Sequence, residues 1–117
     1  MTEVLTIPAL CRAIETRDGA TASGFYAADA VLRVVDQANP PSSAREIIGR
    51  DAIAAYYDDV CGRTMTHRVE AAVGDNERLA FTQVCTYPEG SRVVCAAMLE
   101  LSGGRIARHL AVQAWDP

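Results

Sequence analysis

Residues 65–115 read MTHRVEAAVGDNERLAFTQVCTYPEGSRVVCAAMLELSGGRIARHLAVQAW, and this stretch decides the fold. Four β-rich runs, Met65 to Val73, Leu79 to Tyr87, Arg92 to Leu101 and Arg105 to Trp115, are separated by tight turns. The turns are Gly74-Asp75-Asn76-Glu77, Pro88-Glu89-Gly90-Ser91 and Ser102-Gly103-Gly104. Short strands joined by Gly-containing turns predict an antiparallel meander. A half-wet sheet alternates polar and apolar residues, but Val93-Val94-Cys95-Ala96-Ala97-Met98-Leu99 is apolar on both parities. One face must pack on helices or line a cavity. The other is expected to meet a second copy of the chain, giving a homodimer through the outer face of the sheet.

The residues before the meander read mostly as helix. Thr6 can cap a first helix with Pro8 in its opening turn and Leu10, Cys11 and Ile14 on its apolar stripe; Asp18-Gly19 is expected to end it. A short second helix is expected over Ala20 to Ala28, carrying Phe25 and Tyr26. Val31 to Asp36 reads as a strand and Gln37 to Ser43 as a loop. In Gly49 to Gly62, Ile53, Tyr56, Tyr57 and Val60 follow the i, i+3, i+4, i+7 rule of an amphipathic helix. Three helices with a curved antiparallel sheet make an α+β fold.

Composition narrows the function. The chain has 117 residues, 50% of them hydrophobic and 22% charged, which suits one domain over 1–117 with a single core and a small cavity. Its net charge is −4, which argues against nucleic acid and anionic membrane as partners. The basic residues are all arginine, which removes a Schiff-base lysine and the P-loop lysine. No apolar run approaches a membrane span, and MTEVLTIPALCRAIETRDG lacks the basic and apolar regions of a signal peptide, so a cytoplasmic location is expected. Cys11, Cys61, Cys85 and Cys95 show no C-x-x-C spacing. Cys85 and Cys95 flank one turn, where either a cross-strand disulfide or two reduced thiols would fit.

Candidate chemistry lies on inward positions. Asp36 ends an apolar strand; with Leu32 and Val34 facing in, its carboxylate lies at a pocket mouth and can act as a general base, or it can cap the Pro-Pro loop that follows. His67 is inward if Arg68 and Glu70 face water; alternation then groups it with Val69, Ala71 and Val73. His109, Gln113 and Trp115 share one face with Ala107 and Ala111, as in a cavity wall, although a dimer interface also favours tryptophan. Tyr57, on the inward helix face, can donate to a developing oxyanion, and Tyr26 can do the same. Asp36, His67 and His109 supply the residue types of an iron site, but no H-x-D spacing supports one, so neither metal nor cofactor is expected. There is no G-x-S-x-G and no dinucleotide fingerprint.

The motif Phe25-Tyr26-Ala27-Ala28-Asp29-Ala30-Val31, the helix start Gly49-Arg50-Asp51-Ala52-Ile53 and the turn Gly103-Gly104-Arg105-Ile106 occur in the order of the elements above. Together they resemble the nuclear transport factor 2-like superfamily, in its SnoaL-like branch, relatives of ketosteroid isomerases and polyketide cyclases. The resemblance implies a cone-shaped α+β barrel of cystatin-like type: a bent sheet round an apolar pocket, closed on one side by helices and usually dimeric. It also implies an inward histidine at the start of the strand holding His67 and a cavity-facing aromatic at Tyr57. It does not extend to a steroid isomerase: Val34 and Ala97 stand where that enzyme has its two aspartates, and Cys11 and Arg12 lie where it has a tyrosine. The pattern of limonene epoxide hydrolases is not found either. The expected function is a small cofactor-free enzyme using Asp36 and His67 in acid–base chemistry on a compact apolar molecule, as an isomerase, cyclase or hydrolase. Tyr57, Tyr26, His109, Gln113 and Trp115 would bind the substrate. The alternative is a non-catalytic binding or dimerisation module of the same fold.

Overall fold

The computed structural model describes residues 5–117. Helix α1 spans Ile7–Glu15, α2 Gly19–Gly24 and α3 Arg50–Gly62. Strands are β1 Tyr26–Val35, β2 Arg45–Ile48, β3 Thr66–Gly74, β4 Arg78–Thr86, β5 Arg92–Ser102 and β6 Arg105–Trp115. They form one six-stranded sheet in the order β2-β1-β6-β5-β4-β3. The meander is as its turns predict. The sheet as a whole is mixed, because β1 runs parallel to β6.

Local chemistry sets the ends of the elements. The Thr6 hydroxyl accepts from the Ala9 N–H at 3.1 Å, satisfying one of the donors left over in the first turn of α1. The exit from α1 differs from the expected one: Arg17, at φ 57°, takes the left-handed conformation, and Gly19 opens α2 instead. Asp18 caps α2, accepting from the Thr21 N–H. That helix stops at Gly24, so Phe25 and Tyr26 are not on it. Tyr26 begins β1, which is longer than its apolar run suggests. A further difference is β2, four residues between the expected loop and helix to which the sequence pattern assigns no element. It pairs with β1 from Val31↔Ile48 to Val34↔Arg45.

In β5, and in β1 and β6 beyond their own irregularities before Val31 and at Ala107, the alternation places one face inside; Ala107 is the extra residue of a bulge, so Ile106 before it and His109 after it both point in. Leu32 and Val34 are buried, as are Val93, Cys95, Ala97 and Leu99, while Val94, Met98, Leu110 and Val112 remain exposed. In β3 the alternation fails midway. The register steps from Val69↔Gln83 to Ala71↔Thr82, so Glu70 is an extra residue in a β-bulge. Beyond it the faces swap. Ala72 packs on the core while Ala71 and Val73 turn out, which corrects the grouping of both with His67. At the bulge the Val69 N–H donates to Glu15 Oε2 at 3.0 Å, tying this edge strand to α1. Gly74 ends β3 where a Cβ would lie 2.5 Å from the Arg78 carbonyl oxygen, so the hairpin has room only for glycine. The three helices cover the inner face, and the core they share with it includes Leu10, Ile14, Phe25, Tyr26, Leu32, Ile53, Leu99 and Ile106.

Candidate functional site

A cavity of about 300 Å³ lies between the inner face of the sheet and the helices. Its wall is mostly apolar, with Ile14, Leu32, Val34, Phe81 and Val93 among its residues. Asp36, Tyr57, His67, His109, Gln113 and Trp115 all line it, so the inward parity inferred for the first and last strands holds. Tyr26 stands one layer behind, fully buried.

The deep end carries a chain of three polar groups. The Tyr57 hydroxyl lies 2.8 Å from the Tyr26 hydroxyl, which lies 2.6 Å from His109 Nδ1. Counting protons assigns the direction. A phenol is a stronger acid than a neutral imidazole N–H, and an imidazole nitrogen is a stronger acceptor than a phenol oxygen, so Tyr26 donates to Nδ1. Tyr26 has only one proton, so Tyr57 must donate to Tyr26. His109 then carries its own proton on Nε2. That atom is buried and has no protein partner. The donor left unpaired in this chain of groups is therefore Nε2–H of His109, a residue that lines the cavity, since the proton of Tyr57 is committed to Tyr26. Burial pushes the His109 pKa down to about 4, so the ring is neutral at pH 7. A neutral imidazole in this tautomer polarises a carbonyl without donating its proton outright. Burial also raises the pKa of both tyrosines, so neither ionises near neutrality.

The mouth is built by β3, β4 and β6. His67 pairs across the strands with Cys85, their Nδ1 and Sγ 3.1 Å apart. Either group can donate across this contact, because the one thiol proton of Cys85 also lies toward Gln83 Oε1, with Sγ and Oε1 3.6 Å apart; His67 Nε2 is buried without a partner. Burial lowers the His67 pKa, and the neighbouring Gln83 amide opposes this only in part. Burial raises the Cys85 thiol to about 11 and Cys95 to about 12, so both are protonated and weak as nucleophiles. All four cysteines are free. Cys85 faces Val93 and Cys95 faces Gln83, so the two thiols are two residues out of register rather than opposite.

Asp36 caps its loop and also lines the cavity. Its Oδ1 accepts from the Ala38 N–H at 2.9 Å, the Asn39 N–H at 2.8 Å and the Asn39 side-chain amide at 2.9 Å. The carboxylate thus closes the loop after β1, as an Asx turn does, while its residue remains on the cavity wall. Asp36 and His67 share that wall but not a hydrogen bond. Among the described residues, no group of three metal-ligating side chains converges, Asp36, His67 and His109 included.

Sequence reasoning passed over several wall residues. Gln83 and Cys85 follow Phe81 at period two on β4, a signal that was there to be read. Arg45 lies in the short strand β2, for which the sequence pattern gives no element. Tyr56 shares a helix turn with Tyr57, and burial raises its pKa against the pull of Gln113, Arg45 and Arg63.

Comparison with known proteins supplies the context for this geometry. The model of the SnoaL-like domain family matches residues 7–109. No curated protein matches the chain. Among solved structures, an NTF2-like protein of unknown function from Mesorhizobium loti superposes with a TM-score of 0.80 at 14% identity, covering 92% of this chain and 87% of its own. A proposed ketosteroid isomerase from Kribbella flavida gives 0.73 at 19% identity, with 94% and 77% covered. A bacterial protein with a cystatin-like fold from Silicibacter pomeroyi gives 0.74 at 21%, with 97% and 77% covered. At such identities the likeness is one of fold. With the family model spanning nearly all of the described residues and the curved sheet closed by three helices, the chain belongs to the SnoaL-like domain family.

Proposed function

We propose that the chain is a small cofactor-free enzyme that moves a proton on a compact, largely apolar carbonyl compound. The observation carrying this reading is the unpartnered His109 Nε2–H at the deep end of an apolar cavity, held in that tautomer by Tyr26 and Tyr57. A preoriented neutral donor in a low-dielectric site is suited to negative charge developing on a carbonyl oxygen. Asp36 is the assigned base. Among the described residues it is the one carboxylate on the wall, and its loop hydrogen bonds all fall on Oδ1, leaving Oδ2 for the substrate. His67 is assigned a binding role, because its Nδ1 is already engaged with Cys85. Isomerisation, aldol-type cyclisation and hydrolysis all begin from this arrangement.

Binding without catalysis is supported by one feature, the threefold use of Asp36 Oδ1 by its own loop. Exchange of α-protons into D2O, followed by proton NMR over a panel of small cyclic and open-chain ketones, separates the two. An enzyme accelerates exchange on at least one member over buffer, and a binder on none.

We further propose that the outer sheet face is covered by a second copy of the chain. Met98, 62% exposed, and Val112, 43% exposed, lie there with Val94 and Leu110, bordered by the facing pair Arg108 and Glu100. A two-fold axis through this patch sets like apolar groups together and lets each arginine meet a glutamate of the other copy. Sedimentation velocity should find a dimer, and Met98→Glu should convert it to monomer; a wild-type monomer at micromolar concentration contradicts the assignment.

A further inference from the structure

The cavity wall carries hydrogen-bonding nitrogens that the fold leaves unpartnered. Among the described residues, the buried side-chain nitrogens without a partner are His67 Nε2, His109 Nε2 and Trp115 Nε1. An indole nitrogen can only donate, and the tautomer assigned above to His109 makes its Nε2 a donor as well. Two guanidinium groups, those of Arg45 and Arg63, also line the cavity. Arg63 is engaged with Asp59 at 2.7 Å and with the Tyr87 hydroxyl at 3.3 Å. Arg45 is different. Its guanidinium carbon sits 5.5 Å from the centre of the Tyr56 ring, which orients it, and among the described residues no carboxylate or carbonyl accepts from it. The acidic group on this wall, Asp36, does not quench it: the two form no ion pair, and Asp36 Oδ1 is surrounded by three donors of its own loop.

An apolar cavity with surplus donors is complementary to a ligand that supplies acceptors. The donors also differ in kind along the cavity. At the deep end there is one neutral N–H, suited to one carbonyl oxygen. At the mouth there are a planar cationic fork and an indole N–H. A planar fork with adjacent N–H donors matches the two oxygens of a carboxylate better than a single carbonyl or hydroxyl. We propose that the mouth is an anion subsite, and that the natural ligand is a compact carbonyl compound bearing a carboxylate, its carbonyl inward at His109 and its carboxylate outward at Arg45 and Trp115. The carbonyl half of this statement rests on the function proposed above, whereas the anion subsite does not. The subsite also gives the substrate a fixed end-to-end orientation, which an apolar cavity alone would leave open.

The probe pair is 4-oxocyclohexanecarboxylate and its methyl ester, which differ in charge and little in shape. Calorimetric titration of the full chain is expected to show the acid binding at least ~10-fold tighter than the ester. Added salt should weaken only the acid. Arg45→Gln should bring the two within ~2-fold of each other, and Arg45→Lys should fall between, keeping charge but losing the fork. Trp115→Phe should weaken the acid and leave the ester unchanged, which a general disturbance of the fold would not do. Equal binding of acid and ester by the wild type overturns the subsite, as does an acid preference that survives Arg45→Gln, and so does binding of neither. The functional reading is judged separately, by α-proton exchange on uncharged ketones, so one can fail while the other stands.

Discussion

Replacing Asp36 by asparagine is expected to slow α-proton transfer by about 100-fold or more. The substitution is informative because it divides two roles that the wild-type side chain combines. Asparagine keeps an oxygen at the position of Oδ1, where Ala38 and Asn39 donate, so the loop after β1 retains its hydrogen bonds. It removes the negative charge and the basic lone pair of Oδ2. The variant should therefore melt within a few degrees of the wild type while losing turnover. Asp36→Ala would instead disturb the loop, leaving two backbone N–H groups and an amide short of an acceptor, at about 1–3 kcal/mol. Turnover unchanged in Asp36→Asn would remove the carboxylate from the mechanism and leave Asp36 as a loop cap alone.

The second large effect is on stability and comes from His109. In the unfolded chain an imidazole takes up a proton below about pH 6.5. In the folded protein burial holds His109 neutral down to about 4. The protein is therefore most stable above 6.5 and loses stability as the pH falls from there to 4. Below 4 both states are protonated at this site and the loss from it ends. At about 1.4 kcal/mol per pH unit, the interval is worth about 3 kcal/mol, a large part of a small domain's stability. His67, also lowered by burial, contributes with the same sign. Asp18, Asp75 and Glu89 have lowered pKa values, so their share is lost as the pH falls through their unfolded values of about 4 to 4.5 and below, overlapping only the acid end of this window. Urea midpoints taken from pH 7.5 to 4 should fall steeply, and the fall should shrink in His109→Gln to what His67 leaves. A flat profile in the wild type would show that His109 is reached by water and would undercut its role as a neutral donor.

Much of this site was legible from alternation. The parity of β6 put His109, Ala111, Gln113 and Trp115 on one face, and that face lines the cavity. The step from Val34 to Asp36 carried the same inward face to the strand end. The failures have physical causes. A bulge at Glu70 adds one residue and reverses every side chain beyond it, and a run of small apolar residues such as Ala71-Ala72-Val73 does not betray which of them turns in. Arg45–Ile48 is a short, half-charged edge strand whose existence depends on β1 being beside it. The helix expected over Ala20 to Ala28 includes Tyr26, but α2 stops at Gly24 and pairing of β1 with β6 draws Tyr26 into the sheet. The Tyr57–Tyr26–His109 chain joins residues 31 and 83 positions apart, so no spacing rule could reveal it.

The central claim is that this cavity carries out proton transfer, and exchange of substrate protons measures that step without needing the final product. Cyclohexanone, 4-oxocyclohexanecarboxylate and a set of open-chain ketones would be held in D2O at pH 7 with the wild-type protein, with Asp36→Asn, and with buffer alone. The account predicts loss of the α-proton signal of at least one ketone well above the buffer rate with wild type, and a rate about 100-fold lower with Asp36→Asn. Exchange at the buffer rate for every ketone would contradict it and leave the chain as a binding module.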